Sequence, residues 1–476
     1  MNRINNIKIG IFGIGLDTYW KQYDGLLTRL MGYLTTVSGK IKRDNAIIIQ
    51  GGMVDCPDKA HEAASLFKRE EVDIIFLYIT TYALSSTVLP VVQHVKVPVI
   101  ILNLQPGNAI DYAWFNKLGD RSKMTGEWLA NCQGCSVPEI ANVFNRCDIP
   151  FHQISGTLQD KESWTEINEW IDAAIVLKTM RNNRMGFLGH YYCGMLDVYS
   201  DFTLQSSVFG THIQQLEMCD LNDLRNEVSE NEIHQKRIEI ENKFEIINEC
   251  SEDELNRAAK TAVALDNLVK KHNLGSLCYY YDGASGNEYE NIITSVIVGN
   301  SLLTAKNIPV AGEAEVKNIQ AMKIMDSFGA GGSFTEFYLM DFNDDVLLMG
   351  HDGPGHLAIA EGKPILKPLK EYHGKPGKGL SVEMKVKNGP VTILAVAEAK
   401  GGKLKLIVAE AESVPGPILE IGNTNSRYRF KITIKEFMNR WCKEGPSHHC
   451  AIGTGHISSK ILKLGALLNI EVIKVC

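Results

Sequence analysis

The apolar residues of this chain change their spacing near residue 325, and that change constrains the fold more than any other feature. Before it, short runs rich in Ile and Val (8–15, 46–50, 73–79 and 97–104) alternate with helix-like segments such as 59–69 and 138–146. Continuous apolar strands separated by helices belong to a parallel sheet covered on both faces. A second alternation begins at MGFLGH (185–190). Within it, 251–271 predicts a helix: Ser251 and Glu254 form a capping box, and Leu255, Ala258, Ala262, Leu265 and Val269 make an apolar stripe. A buried strand at 276–280 and a Gly-rich loop, DGASGN (282–287), follow. After the change, alternation at Val382, Met384 and Val386 predicts half-buried antiparallel hairpins, with Asn388-Gly389 and 400–403 as turns. A chain of 476 residues exceeds one hydrophobic core. The expected fold is α/β: two αβα parallel-sheet domains, 1–180 and 181–325, followed by an antiparallel β-barrel-like C-terminal domain, 326–476.

Composition excludes some function classes. The net charge is −7 with no charge block, whereas nucleic-acid binding needs a basic stripe to neutralise phosphates. Apolar runs such as 99–102 are far too short to span a bilayer. The N-terminal MNRINNIKIGIFGIGLD enters a strand-like run without the apolar stretch of a secretory signal, so a cytoplasmic protein is expected. Glycines 10, 13 and 15 miss the dinucleotide fingerprint, because no GxGxxG opens a helix there. Cys132 and Cys135 form a CxxC without a second pair at zinc-site spacing, which favours a structural role.

The chemistry-bearing residues gather in the C-terminal third. Glu313 lies in AGEAEVK (311–317), Glu336 in GGSFTEFY (331–338), His351 in MGHDGPGH (349–356), and His448 and His449 in GPSHHCAIGTGH (445–456). Two carboxylates and two imidazoles suit a divalent ion of the Mn, Fe, Co or Zn range. Small neighbours let the backbone approach such an ion. The helix after Glu313 should bury Ala321, Ile324, Met325 and Phe328 on one face. His356 is expected to support a ligand or face the substrate. In parallel sheets ligands bind outside the carboxyl ends of strands. There Asp17, Tyr19 and Trp20 offer a carboxylate and aromatic faces suited to a sugar.

The order GE, GGSF-x-E-x-Y, GH and HH, behind two αβ domains and within a β domain, resembles the L-arabinose isomerase and L-fucose isomerase superfamily. The resemblance implies that Glu313 and Glu336 are catalytic carboxylates that also bind Mn²⁺, with His351 and His449 completing the metal set. It implies substrate contacts for Tyr338 and Met195, with His448 beside them. The activity it implies is aldose–ketose isomerisation through a cis-enediol, in a homo-oligomer (trimer or hexamer) whose neighbouring subunit completes the site. The first-strand loop of arabinose isomerases reads Gly-Ser-Gln-His-Leu-Tyr, whereas this chain has Gly15-Leu16-Asp17-Thr18-Tyr19-Trp20. The expected substrate is therefore a pentose or hexose, not necessarily L-arabinose. A sugar epimerase using the same metal site, or a non-catalytic sugar-binding protein, are the competing readings.

Overall fold

The computed structural model describes residues 6–283, 286–372 and 375–476, so Ala284 and Ser285 of the DGASGN loop lie outside the described residues. The chain divides into two compact units, Met1–Lys178 and Thr179–Cys476.

In the first unit Ile7–Ile14 (β1), Ala46–Val54 (β2), Ile74–Tyr78 (β3), Val99–Gln105 (β4) and Phe151–Thr157 (β5) form a parallel sheet in the order β2-β1-β3-β4-β5. Nearly every side chain of β1 and all of those of β3 are buried, as unbroken apolar runs require. The helix expected to start at Pro138 begins earlier, as Gln133–Arg146. Its first turn is latched to the loop after β3: Gln133 Nε2 donates to the Thr80 carbonyl at 2.9 Å, and Ser136 Oγ to that of Thr81 at 3.1 Å. These tertiary bonds, which no local pattern announces, extend the helix back past the proline.

The second unit opens with another parallel sheet. Arg184–Gly189 (β6), His212–Leu216 (β7), Ser276–Tyr280 (β9) and Val310–Ala311 (β10) are its strands, in the order β10-β9-β6-β7, while the short Glu245–Ile246 (β8) lies outside it. The helix Glu252–His272 has Ser251 as its N-cap, and Ser251 Oγ accepts from the Glu254 N–H. The reciprocal half of the expected capping box is replaced, because the Glu254 carboxylate pairs with Arg257 instead.

Beyond residue 330 the strands are Gly331–Asp341 (β11), Val346–His351 (β12), Ile365–Pro368 (β13), Glu371–Tyr372 (β14), Lys375–Pro376 (β15), Leu380–Glu383 (β16), Gly389–Ala399 (β17), Lys403–Val414 (β18), Thr424–Phe430 (β19), His449–Thr454 (β20) and Glu471–Lys474 (β21). Six of them close an antiparallel barrel in the order β17-β20-β11-β12-β19-β18, with β17 pairing back to β18. The turn at 400–402 closes the β17–β18 hairpin as expected, with Gly402 N–H bonding the Ala399 carbonyl. Asn388-Gly389 does not close one. Val382, Met384 and Val386 are buried, but β16 pairs with β13 and β13 with β8, in a separate small sheet.

The helix Val316–Ser327 departs most from its expected pattern. Every residue from Val316 to Asp326 is buried, not one face alone. It packs against β9 and β10 as well as against barrel strands β11, β17 and β20, so no side is left to water. Its polar side chains therefore need internal partners. Gln320 Oε1 accepts from Thr211 Oγ1 at 3.2 Å, and Lys323 Nζ donates to the Asn307 carbonyl at 2.9 Å.

Glu410, on β18, fastens the C-terminal segment to the barrel. It accepts from Ser458 N at 3.1 Å, Ser458 Oγ at 2.6 Å and Lys474 Nζ at 3.0 Å. Burial pushes its pKa up, but the bonds from Ser458 and Lys474 outweigh this and hold it below the usual glutamate value. A depressed folded pKa contributes stability that is complete above the unfolded pKa, about 4.3, and is lost as pH falls through the folded value. Glu410→Gln is expected to destabilise the protein by about 1.5–3 kcal/mol at pH 7. Urea unfolding should show that deficit shrinking below about pH 4.

Candidate metal centre

Three adjacent barrel strands bring the C-terminal motifs together. On β11, Glu336 is paired with Gly350 of β12 on one side and with His449 of β20 on the other. His351 ends β12 opposite Thr424. The strand approach depends on Gly350, since a Cβ there would lie 1.9 Å from the Thr424 carbonyl oxygen. Phe334 lies against both imidazoles, its ring centre 4.4 Å from that of His351 and 4.5 Å from that of His449.

Glu313 arrives from the turn between β10 and the buried helix. Glu313 and Ala314 both adopt left-handed backbone, with φ of 55° and 54°. Each such non-glycine residue costs about 1–2 kcal/mol, and strain of this kind collects at functional sites. The turn is held by the Ala314 N–H on the Tyr279 carbonyl at 2.9 Å and by that of Glu315 on the Gly312 carbonyl at 3.1 Å. Its effect is to set carboxylates on opposite edges of one ring: Glu313 Oε2 lies 3.4 Å from His449 Nε2, and Glu315 Oε2 lies 3.7 Å from His449 Nδ1.

Two overlapping groups result, Glu313–His448–His449 and Glu336–His351–His449, each with its donor atoms within 4.8 Å of one another. Glu313 Oε1 is also 3.9 Å from His351 Nε2. Among the described residues no other group of three His, Cys, Asp or Glu is so arranged, Cys132 and Cys135 included. Both ring nitrogens of His449 and Oε2 of Glu313 are buried without a hydrogen-bond partner. Buried unsatisfied polar atoms are costly, and this donor set fits a divalent cation.

Burial raises the pKa of Glu336; His449 and His448 oppose this, while Glu313 and Asp352 reinforce it. His448 is raised to about 9, chiefly by Glu313, whose Oε2 is 3.7 Å away, and then by Asp197. Burial raises Asp197, yet its two bonds from His448 bring it below the usual carboxylate range. Tyr338 occupies a bulge between β11 and β12 and accepts a hydrogen bond from Asn423 Nδ2 at 2.9 Å. Burial, with Asp352 and Glu336 nearby, pushes its hydroxyl well above the ordinary phenol value.

A cavity of about 230 Å³ adjoins the cluster, lined in part by Glu313, His351, Asp352, Met195, Tyr192 and Tyr279. Met195, expected to contact the substrate, is among the lining residues. His356 does not join the cluster. Its Nδ1 accepts from Ala358 N–H, and its Nε2 lies 4.0 Å from Asp326, at the far end of the buried helix. Asp17, Tyr19 and Trp20 belong to the first unit. There Trp20 Nε1 donates to Asp55 at 2.8 Å, and Tyr19 and Trp20 pack on Leu26, Leu30 and Met53. Asp17 alone of the three is exposed.

Residues 331–471 match the family model of the L-arabinose isomerase C-terminal domain. Over this segment the chain is arabinose isomerase-like. Comparison with curated proteins gives no match. The matched segment includes Glu336, His351, His448 and His449 but does not include Glu313. It points to a sugar isomerase. Among the described residues no helix is long and apolar enough to cross a membrane.

Of the outer carboxylates, sequence reasoning singled out Asp352, in HDGPGH, but missed Glu315 and Asp197. Asp352 Oδ1 lies 3.3 Å from His351 Nδ1, Glu315 backs His449, and Asp197 Oδ2 lies 2.6 Å from His448 Nδ1. Of these, the Asp197 carboxylate, hydrogen-bonded to His448 Nδ1, is placed to orient its imidazole. Glu315 was visible in AGEAEVK as an acidic neighbour of a ligand; Asp197 carried no signal.

Proposed function

We propose that this protein is a divalent-metal-dependent aldose–ketose isomerase acting on a pentose or hexose through a cis-enediol. The observation that carries the reading is the pair of overlapping donor groups, Glu313–His448–His449 and Glu336–His351–His449, beside a cavity, with donor atoms of Glu313 and His449 buried and unsatisfied. Glu313, Glu336, His351 and His449 would hold the cation, with Mn²⁺ the expected ion. When bound, it would polarise the sugar carbonyl and orient the adjacent hydroxyl. One of Glu313 and Glu336 removes the proton from the carbon bearing the hydroxyl and delivers a proton to the neighbouring carbon. The other exchanges protons with the two oxygens. Tyr338, fixed by Asn423, and Met195 would contact the sugar. A homo-oligomeric, cytoplasmic enzyme belongs to the same reading.

The test is turnover of a panel of pentoses, hexoses and their ketoses in D₂O, with Mn²⁺ and with chelator. Metal-dependent interconversion with deuterium entering at C1 or C2 is expected. Label at another carbon would mark an epimerase. Tight sugar binding indifferent to chelator, without turnover, would mark a binding protein and overturn the proposal.

A further inference from the structure

Asp197 lies in the segment between β6 and the helix Phe202–Phe209, 251 residues before the imidazole it meets. Its Oδ2 accepts the backbone N–H of His448 at 3.0 Å and lies 2.6 Å from His448 Nδ1. The segment does not depend on that carboxylate for its place. Lys317, buried on the central helix, donates Nζ to the carbonyls of Asp197 and Tyr199, and Ser447 Oγ donates to the Asp197 carbonyl at 3.3 Å. The Asp197 and His448 side chains are 42% and 37% exposed, and an ion pair that open adds little to stability. What the carboxylate does fix is direction. With Nδ1 engaged, His448 has only Nε2 to offer, and Nε2 faces Glu313 Oε2 at 3.7 Å. The same segment carries Met195 and Tyr192, which line the cavity. One contact thus ties the cavity wall to the ligand-bearing strand.

We infer that Asp197 is a positioning residue: it holds His448 outside the ligand set, with Nε2 turned toward Glu313 and the substrate. The inference rests on the isomerase reading. His449, fully enclosed and met by carboxylates on both edges, takes the cation, whereas the half-exposed His448 serves the sugar.

The experiment is a double-mutant cycle of Asp197→Ala and His448→Ala in the Mn²⁺-loaded full chain, with Asp197→Asn as the conservative variant. Each alanine variant should lower kcat about 10- to 100-fold, with KM, the unfolding midpoint and the calorimetric Mn²⁺ affinity little changed. The double variant should be no slower than the slower single. Asn, which keeps an acceptor oxygen, should recover part of the loss. Losses that multiply in the double variant, or wild-type kcat in Asp197→Ala, would overturn the inference. So would a large fall in Mn²⁺ affinity, since it would make His448 a ligand. If the wild type turns over none of the sugars, the isomerase reading itself fails. The clamp is then judged without substrate, from the ¹⁵N resonances of the His448 ring in the metal-free protein. Asp197→Ala should shift them, and unchanged resonances would overturn the clamp.

Discussion

His449→Ala should abolish both cation binding and turnover, because His449 is the one residue common to both donor groups. Its ring is enclosed, and neither nitrogen has a hydrogen-bond partner to compete for it. A cation that binds only the folded state stabilises it by about 2.7 kcal/mol at 100 times its Kd. For a unit the size of Thr179–Cys476 that raises the unfolding midpoint by roughly 4 °C. Wild-type protein should therefore lose about that much on chelation, measured by calorimetry, while the His449→Ala midpoint should be indifferent to Mn²⁺ and to chelator. A full metal-induced shift in the variant would remove His449 from the centre.

The second large effect is expected from Glu336→Gln. Gln fills the same volume and leaves the pairing of Glu336 with Gly350 and His449 undisturbed, so the barrel should stand. What disappears is a carboxyl able to take and return a proton, a role that contributes about 10²- to 10⁴-fold to rate. Steady-state kinetics at saturating Mn²⁺ should show kcat falling by that factor, with deuterium exchange into the sugar lost in parallel. Activity within tenfold of wild type would show that Glu336 moves no proton.

The sequence disclosed the architecture wherever one period governed a segment. Unbroken Ile and Val runs became β1, β3 and β4, and strict alternation marked the buried residues ahead of β17. It misled where long-range packing set the outcome. Asn388-Gly389 has hairpin chemistry, yet the strand before it pairs with β13. The helix Val316–Ser327 shows one apolar stripe but is enclosed on every side, which periodicity cannot express. The same limit applies at the candidate site. Glu313, Glu336, His351 and the His448-His449 pair were readable as candidates from residue type and small neighbours, and only the family resemblance singled out His449. His356, expected to support a ligand or face the substrate, lies beside Asp326 instead. Asp197 was invisible because only the tertiary fold brings it to His448.

The outer carboxylates have a further consequence. With Glu313, Glu336, Glu315, Asp352 and Asp197, five acidic groups crowd around the imidazoles, answered by Lys317 and a protonated His448. Such a concentration of one sign in a walled recess focuses the field and draws counter-ions from solution. On the proposed reading, that field would draw a dication to the cluster, and a bound ion would relieve the mutual repulsion of the carboxylates.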